Sequence, residues 1–329
     1  MASSPGEVRS LLHHGLIPAV PVPFTAGGEI DHEAQERYIA YMAAQPVAGI
    51  AVWAHTGRGL RLTREQRLQV LRSWSEGLGA NQTSSPRIVV AGVGGTAGMG
   101  TDFPAFVESA LAMAGDARDG GASALLVHPP TPFRDSPAHR EASIVDYHRQ
   151  LASVGVPLIL FYLYEAAGGI SYSPELLGQL FAMPEVVGIK LATLDSVMTF
   201  QNVANLVADA FPEKLLITGE DRFLGYSLMC GAEGALIGMG AACTELHYDL
   251  MRACFDERAA DFLALSRKVD QLSQVLFIPP MEGYIRRMLW TLVHLGVFGR
   301  ESAHDPWGPD LPESEFVELE DMLRRLGQM

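Results

Sequence analysis

The stretch that decides the fold is VPLILFYLYEAAGGISYSPELLGQLFAMPEVVGIK, residues 156–190. It holds a continuous apolar run (157–162), a Gly- and Ser-rich turn, a helical pattern (174–182) and a second apolar run (186–190) that closes on a lysine. Apolar runs that do not alternate with polar residues are typical of strands buried on both faces. Two of them joined by a helix make a β/α unit of a parallel sheet. The lysine is conspicuous because the chain has only three, Lys190, Lys214 and Lys268, against 21 arginines.

The same unit recurs outward in both directions. Apolar runs lie at 17–22, 48–53, 87–92, 122–127, 157–162, 186–190, 214–218 and 234–238. Helical patterns separate them at 63–78, 102–117, 139–153, 174–182, 196–210 and 221–230, and a further one follows at 245–255. Thr63 and Gln66 have the spacing of a capping box at the start of the first of these. Eight strands alternating with helices predict a (β/α)8 TIM barrel over residues 1–256. Three more helical patterns, at 257–275, 280–296 and 313–326, predict a C-terminal extension (257–329) packed on the barrel or at a subunit interface. The rival is a doubly wound sheet. Its phosphate fingerprint is not met by GVGGTAGMG at 92–100, which lacks the G-x-G-x-x-G register and the acidic residue about 20 positions on.

Composition narrows the function. A net charge of −14 with no basic run disfavours nucleic acid and anionic membrane as partners. The longest apolar stretches are too short to span a bilayer, and MASSPGEVRSLLHHG lacks the apolar core of a signal peptide. Cys230, Cys243 and Cys254 form no metal-ligand pattern and read as free thiols of a cytoplasmic protein.

In a barrel of this kind, side chains at the C-terminal ends of the strands face the active site. Lys190 ends the sixth run; among apolar neighbours its ammonium is disfavoured, and the free amine can attack a ketone or aldehyde to form an imine. A structural alternative is a rim lysine paired with a carboxylate. Tyr162 ends the fifth run, one β/α unit earlier, where a phenol can move protons; Tyr164 competes with it from two residues on. Thr56 and Gly57, in WAHTGRG (53–59), offer a hydroxyl and N–H groups to a carboxylate. Gly238 and Met239 end the eighth run, where small residues let backbone approach a ligand.

This constellation resembles the dihydrodipicolinate synthase / N-acetylneuraminate lyase family of class I aldolases. The resemblance rests on GLIPAVPVPFTAGGEIDHEAQERYIAYM, HTGRGLRLTREQRLQVL, the 162–190 tyrosine-to-lysine spacing and GEDRFLGYSLMCGAEGALIGMGAAC. It implies that Lys190 is the Schiff-base lysine, Tyr162 the proton relay and Thr56 the hydroxyl that holds a 2-oxo acid carboxylate. It also implies pyruvate-type chemistry, no metal, no cofactor beyond the substrate imine, and a homo-oligomer, commonly a dimer of dimers. The departures are His55 and Arg58 in the turn, Ala167 where synthases carry an arginine, and Pro130-Thr131 where they carry a tyrosine pair. They argue against the lysine-biosynthesis synthase.

His55 is then an accessory acid or base or a structural histidine. Arg58 is an anion site or the partner of Glu165 or another loop carboxylate, and Gly168-Gly169 leave room in the pocket. The expected reaction is aldol or retro-aldol cleavage of a 2-oxo acid. Dehydration of a 3-deoxy-2-oxo sugar acid, with or without decarboxylation, is the alternative; a decayed barrel that only binds a ligand is a third reading.

Overall fold

The computed structural model describes residues 4–80, 86–96, 103–134, 140–194 and 196–329. The end of the Gly-rich run at 97–100 and the first residues of the helices expected from 102 and 139 lie outside them. Among the described residues, eight strands form one parallel sheet: β1 (Leu16–Pro18), β2 (Gly49–Val52), β3 (Ile88–Val93), β4 (Ala124–Val127), β5 (Leu158–Leu163), β6 (Val186–Ala192), β7 (Leu215–Thr218) and β8 (Gly234–Ile237). Their order is β1-β8-β7-β6-β5-β4-β3-β2. A bridge between Ala19 and Ala51 joins the two ends and closes the barrel. The first strand is shorter than its apolar run because Pro18 and Pro21 cannot donate to a ladder.

Between the strands run α2 (His32–Ala43), α3 (Arg64–Ala80), α4 (Phe103–Asp119), α5 (Arg140–Ala152), α6 (Pro174–Phe181), α7 (Val197–Ala210) and α8 (Leu224–Met229), numbered after an N-terminal helix α1 (Pro5–Leu12). The expected capping box is present: the Thr63 N–H donates to Gln66 Oε1 at 2.9 Å and the Gln66 N–H to Thr63 Oγ1 at 3.2 Å.

The period-2 alternation of the strands divides the apolar side chains into two sets. One fills the barrel interior and includes Ile17, Ala51, Val90, Leu126, Ile159, Phe161, Ile217 and Leu236. The other lies between the strands and the surrounding helices. The interior set also contains Val8 and Leu12 of α1. That helix is held by its own capping box, with Ser4 Oγ accepting from the Glu7 N–H and the Glu7 carboxylate accepting from the Ser4 N–H. Reading the N-terminus only for a signal peptide misses this helix, although Ser4-x-x-Glu7 announces it.

After β8 come α9 (Thr244–Phe255), α10 (Ala259–Leu276), α11 (Tyr284–His294) and α12 (Glu313–Leu326). Leu272, Leu276, Met288, Leu319 and Leu323 are buried in the same core that covers the outer face of the barrel. The connections at 277–283 and 304–307 reach the mouth of the barrel, where they meet the turn after β2.

Because Leu12 is 1% exposed and packs inside the barrel, Leu12→Ala is expected to lower the unfolding free energy by about 3 kcal/mol in urea titration. Leu263→Ala, at an exposed position, should change it by less than about 0.5 kcal/mol.

Candidate active site

Lys190 lies in the C-terminal half of β6, paired in register with Phe161 of β5 and Ile217 of β7. Residues paired across a ladder share a face, so Lys190 and Phe161 both point inward. The Lys190 Nζ stands 4.4 Å from the centroid of the Phe161 ring. Burial pushes the amine down to about 8, against a smaller opposing pull from Asp221 and Glu220. Position 219 favours glycine, since a Cβ there would lie 2.8 Å from the Leu191 carbonyl oxygen and 2.5 Å from Lys190 Cε.

The two carboxyls come from the turn after β7. Glu220 accepts from the Thr193 N–H (2.5 Å), the Thr193 hydroxyl (2.9 Å) and the Leu194 N–H (3.0 Å), yet burial lifts it to about 7. Asp221 accepts from the N–H groups of Met239 (2.7 Å) and Gly238 (3.4 Å); burial again dominates and lifts it to about 6. Both carboxyls are thus held closer to neutrality than exposed ones.

Lys190 opens into an inner chamber of about 40 Å³ lined with Thr56, Phe161, Tyr164, Glu220, Gly238 and Tyr284, among others. The Thr56 Oγ1 lies 3.0 Å from the Tyr284 Oη. Tyr284 stacks on Phe277, with centroids 4.4 Å apart. An outer cavity of about 590 Å³ is lined by His55, Arg58, Arg61, His128, Thr131, Ala167, Gly168 and Trp307, with apolar Leu60, Phe106 and Leu163 between them. His55 and Leu163 line both cavities.

His55 Nε2 is 2.9 Å from Glu282 Oε1. The other oxygen of Glu282 accepts from Arg58 at 2.5 Å, and Arg58 also reaches Asp305 at 2.7 Å. Burial would raise the Glu282 carboxyl, but His55 and Arg58 outweigh it and hold it at about 2. Burial likewise opposes the Arg58 charge, and its two carboxylates more than restore it. Arg58 is therefore neutralised within the protein, and its partners are Glu282 and Asp305. Glu165 is occupied elsewhere, accepting from the Ser171 hydroxyl at 2.8 Å. His128, at the end of β4, is pushed by burial to about 3 and is neutral. Its Nε2 lies 3.3 Å from the Trp53 carbonyl oxygen, so that nitrogen carries the proton.

Several expectations need correction. Tyr162 is in register with Leu191, not Lys190, and belongs to the helix-facing core, where its ring lies 5.4 Å from that of Tyr172. The cause is a register shift at Leu158/Ile159 that leaves Val187 of β6 unpaired and changes the parity between the strands. The phenol expected beside Lys190 is replaced by the ring of Phe161. Met239 is also buried in the helix-facing core, and only its N–H serves the site. Gly57 packs under the turn, where a Cβ would come 2.9 Å from the Val20 carbonyl oxygen. Of the glycine pair, Gly168 lines the outer cavity while Gly169 is wedged against the Leu163 carbonyl. Lys190, Thr56, His55, Gly238, Ala167 and Arg58 do meet around the two cavities. Tyr284, Glu282, Asp305 and His128 are additions; the first three stand more than 90 residues from Lys190 in the chain, with no local motif to mark them. Among the described residues, no group of three His, Cys, Asp or Glu side chains is arranged to hold a metal, and no helix is long and apolar enough to cross a membrane.

A closed barrel with a buried, deprotonatable lysine at its mouth is the architecture of a barrel enzyme with its site at the C-terminal face of the sheet. The model of the dihydrodipicolinate synthetase family matches residues 12–325, and the chain belongs to that family. It is 27% identical over 267 residues to the probable mitochondrial 4-hydroxy-2-oxoglutarate aldolase of Emericella nidulans, covering 78% of this chain and 81% of that one. It is 26% identical over 269 residues to the putative 2-dehydro-3-deoxy-D-gluconate aldolase YagE of Escherichia coli K12, covering 81% and 82%. The crystal structure of YagE in complex with pyruvate superposes with a TM-score of 0.80, over 96% of this chain and 99% of that one at 23% identity. The dihydrodipicolinate synthase of Oceanobacillus iheyensis superposes equally well, with a TM-score of 0.80 at 20% identity over 99% and 100%. The chain is a lyase of the aldolase type.

Arg58→Ala would leave the buried Asp305 and the half-buried Glu282 without their cation. It is expected to cost about 3 kcal/mol of stability in thermal or urea unfolding, with Arg58→Lys recovering only part because an ammonium cannot serve both carboxylates in the same fork.

Proposed function

We propose that the protein forms a Schiff base between Lys190 and the carbonyl carbon of a 2-oxo acid, and cleaves or makes the carbon–carbon bond beyond it. The observation that carries this reading is the amine itself: it is buried at the C-terminal mouth of the barrel, with a pKa lowered to about 8. At pH 7 about a tenth of such an amine is free, against about one part in 3,000 for an ordinary lysine. An arginine here would remain charged and could not attack.

Thr56, which lines the chamber, offers its hydroxyl to the substrate carboxylate. Once the imine has formed it draws electrons from the adjacent carbon, and the C3–C4 bond can break with its pair moving toward nitrogen. The C4 hydroxyl must lose a proton as the aldehyde departs. His55 lines both cavities and is oriented by Glu282, which supports assigning that proton to it. The outer cavity receives the aldehyde half. Arg58, already paired with two carboxylates, holds the turn and not the substrate. Pyruvate is the 2-oxo acid product this reading expects, and the imine is the only cofactor-like species it needs.

We also read the protein as a homo-oligomer. The exposed Met198 and Met229 support this, on helices α7 and α8 that are tied by a Gln201–Tyr226 hydrogen bond. The free thiols Cys230, Cys243 and Cys254 suit a reducing compartment such as the cytoplasm.

Borohydride reduction in the presence of pyruvate should add the mass of a reduced pyruvyl group to the peptide containing Lys190, and Lys190→Met should give no adduct. The trapping rate should rise about tenfold per pH unit below pH 8 and level off above it, as the free amine becomes the dominant form. No adduct with pyruvate or any other 2-oxo acid refutes the reading. A second expected outcome concerns His55: His55→Ala should retain the pyruvate adduct while lowering turnover of 4-hydroxy-2-oxo acids by about 100-fold.

A further inference from the structure

Imine formation requires a group that moves protons between the lysine nitrogen and the substrate oxygen, and β5 does not supply it. The side chain that β5 presents to Lys190 is Phe161, which has no exchangeable proton, while Tyr162 faces the helices. We propose that Tyr284, from the first turn of α11, is the proton-relay residue of the Lys190 site and works through its hydrogen bond to Thr56. The inference rests on the Schiff-base reading.

Four observations carry it. Tyr284 and Lys190 line the same inner chamber, which holds only about 40 Å³ and so confines a reacting carbonyl close to both. The Tyr284 hydroxyl is hydrogen-bonded at 3.0 Å to Thr56, the hydroxyl that the proposed function assigns to the substrate carboxylate. The ring is fixed between Phe277, at 4.4 Å, and His55, at 6.4 Å and nearly parallel. Gly238 leaves the space the ring occupies, since a Cβ there would approach Tyr284 Cε2 and Thr56 Oγ1 to 3.3 Å each. Burial keeps the phenol protonated, as a donor must be. Tyr164 also lines the chamber and is the rival phenol, and single substitutions separate the two.

The steps balance as follows. The Lys190 nitrogen bonds to C2, and the carbonyl π pair moves to oxygen. Tyr284 gives its proton to that oxygen and takes one of the two protons on nitrogen, so a neutral carbinolamine forms with the phenol regenerated. Tyr284 then protonates the departing hydroxyl, water leaves, and the nitrogen lone pair closes the iminium. The phenolate recovers its proton when water hydrolyses the product imine and the same steps run backward.

The test uses the full-length protein with pyruvate as the probe, and follows both the rate of borohydride trapping and the exchange of the pyruvate methyl protons in D₂O. Tyr284→Phe keeps the ring and its stacking. It is expected to slow both by about 100-fold while reaching the same final extent of adduct on Lys190, which a collapsed site would not. Thr56→Val should slow the exchange at saturating pyruvate as well as raising the pyruvate concentration required, and it serves as the second variant if Tyr284→Phe is unstable. Tyr162→Phe should exchange at the wild-type rate. Wild-type rates in Tyr284→Phe, or a loss confined to Tyr164→Phe or Tyr162→Phe, would overturn the relay and leave the Schiff base standing. A wild-type protein that forms no adduct and exchanges nothing would overturn both.

Discussion

The amine of Lys190 inside a barrel of apolar side chains is the constraint on which the rest of the site depends. An ammonium buried beside Phe161 is costly, and the protein meets that cost partly by letting the proton go and partly with two nearby carboxyls. Those carboxyls are themselves buried, and each is tied down by backbone N–H groups: Glu220 by Thr193 and Leu194, Asp221 by Gly238 and Met239. The turns after β6, β7 and β8 are thereby linked around one nitrogen. A site held this way has little freedom to rearrange when a substrate carbonyl arrives, which is what preorganised covalent catalysis requires.

A second set of charges ties the barrel to its C-terminal extension. Arg58, in the turn after β2, bridges Glu282 and Asp305, and Glu282 also holds His55. A buried ion network of this kind adds little net stability compared with apolar packing, but it fixes geometry, because each charge is costly to leave alone. Here the geometry it fixes is the approach of residues 282–284 to the chamber. The extension is therefore part of the candidate site as well as of the hydrophobic core, since it carries Tyr284 to Thr56.

Much of this was legible in the chain. Eight apolar runs separated by helical patterns specify a parallel barrel because strands buried on both faces cannot alternate, and Thr63–Gln66 marks a helix start by local chemistry. Lys190 stood out as an amine at a strand end in an arginine-rich chain. The choice between Phe161 and Tyr162 was not legible. Side-chain direction in a strand inverts with a shift of one residue, and the shift at Leu158/Ile159 arises from pairing with a strand 28 residues away. Spacing along the chain counts residues but does not record which of them a bulge leaves unpaired.

The sequence by itself determined the barrel, the position of Lys190 on it and the departures at His55 and Arg58, because these follow from local periodicity and from the chemistry of single side chains. The tertiary structure alone decided which aromatic faces Lys190, which carboxylates neutralise Arg58, and that a tyrosine from α11 completes the chamber. Those are contacts between segments up to about 250 residues apart, and their partners are selected by packing and charge in three dimensions, which no local pattern encodes.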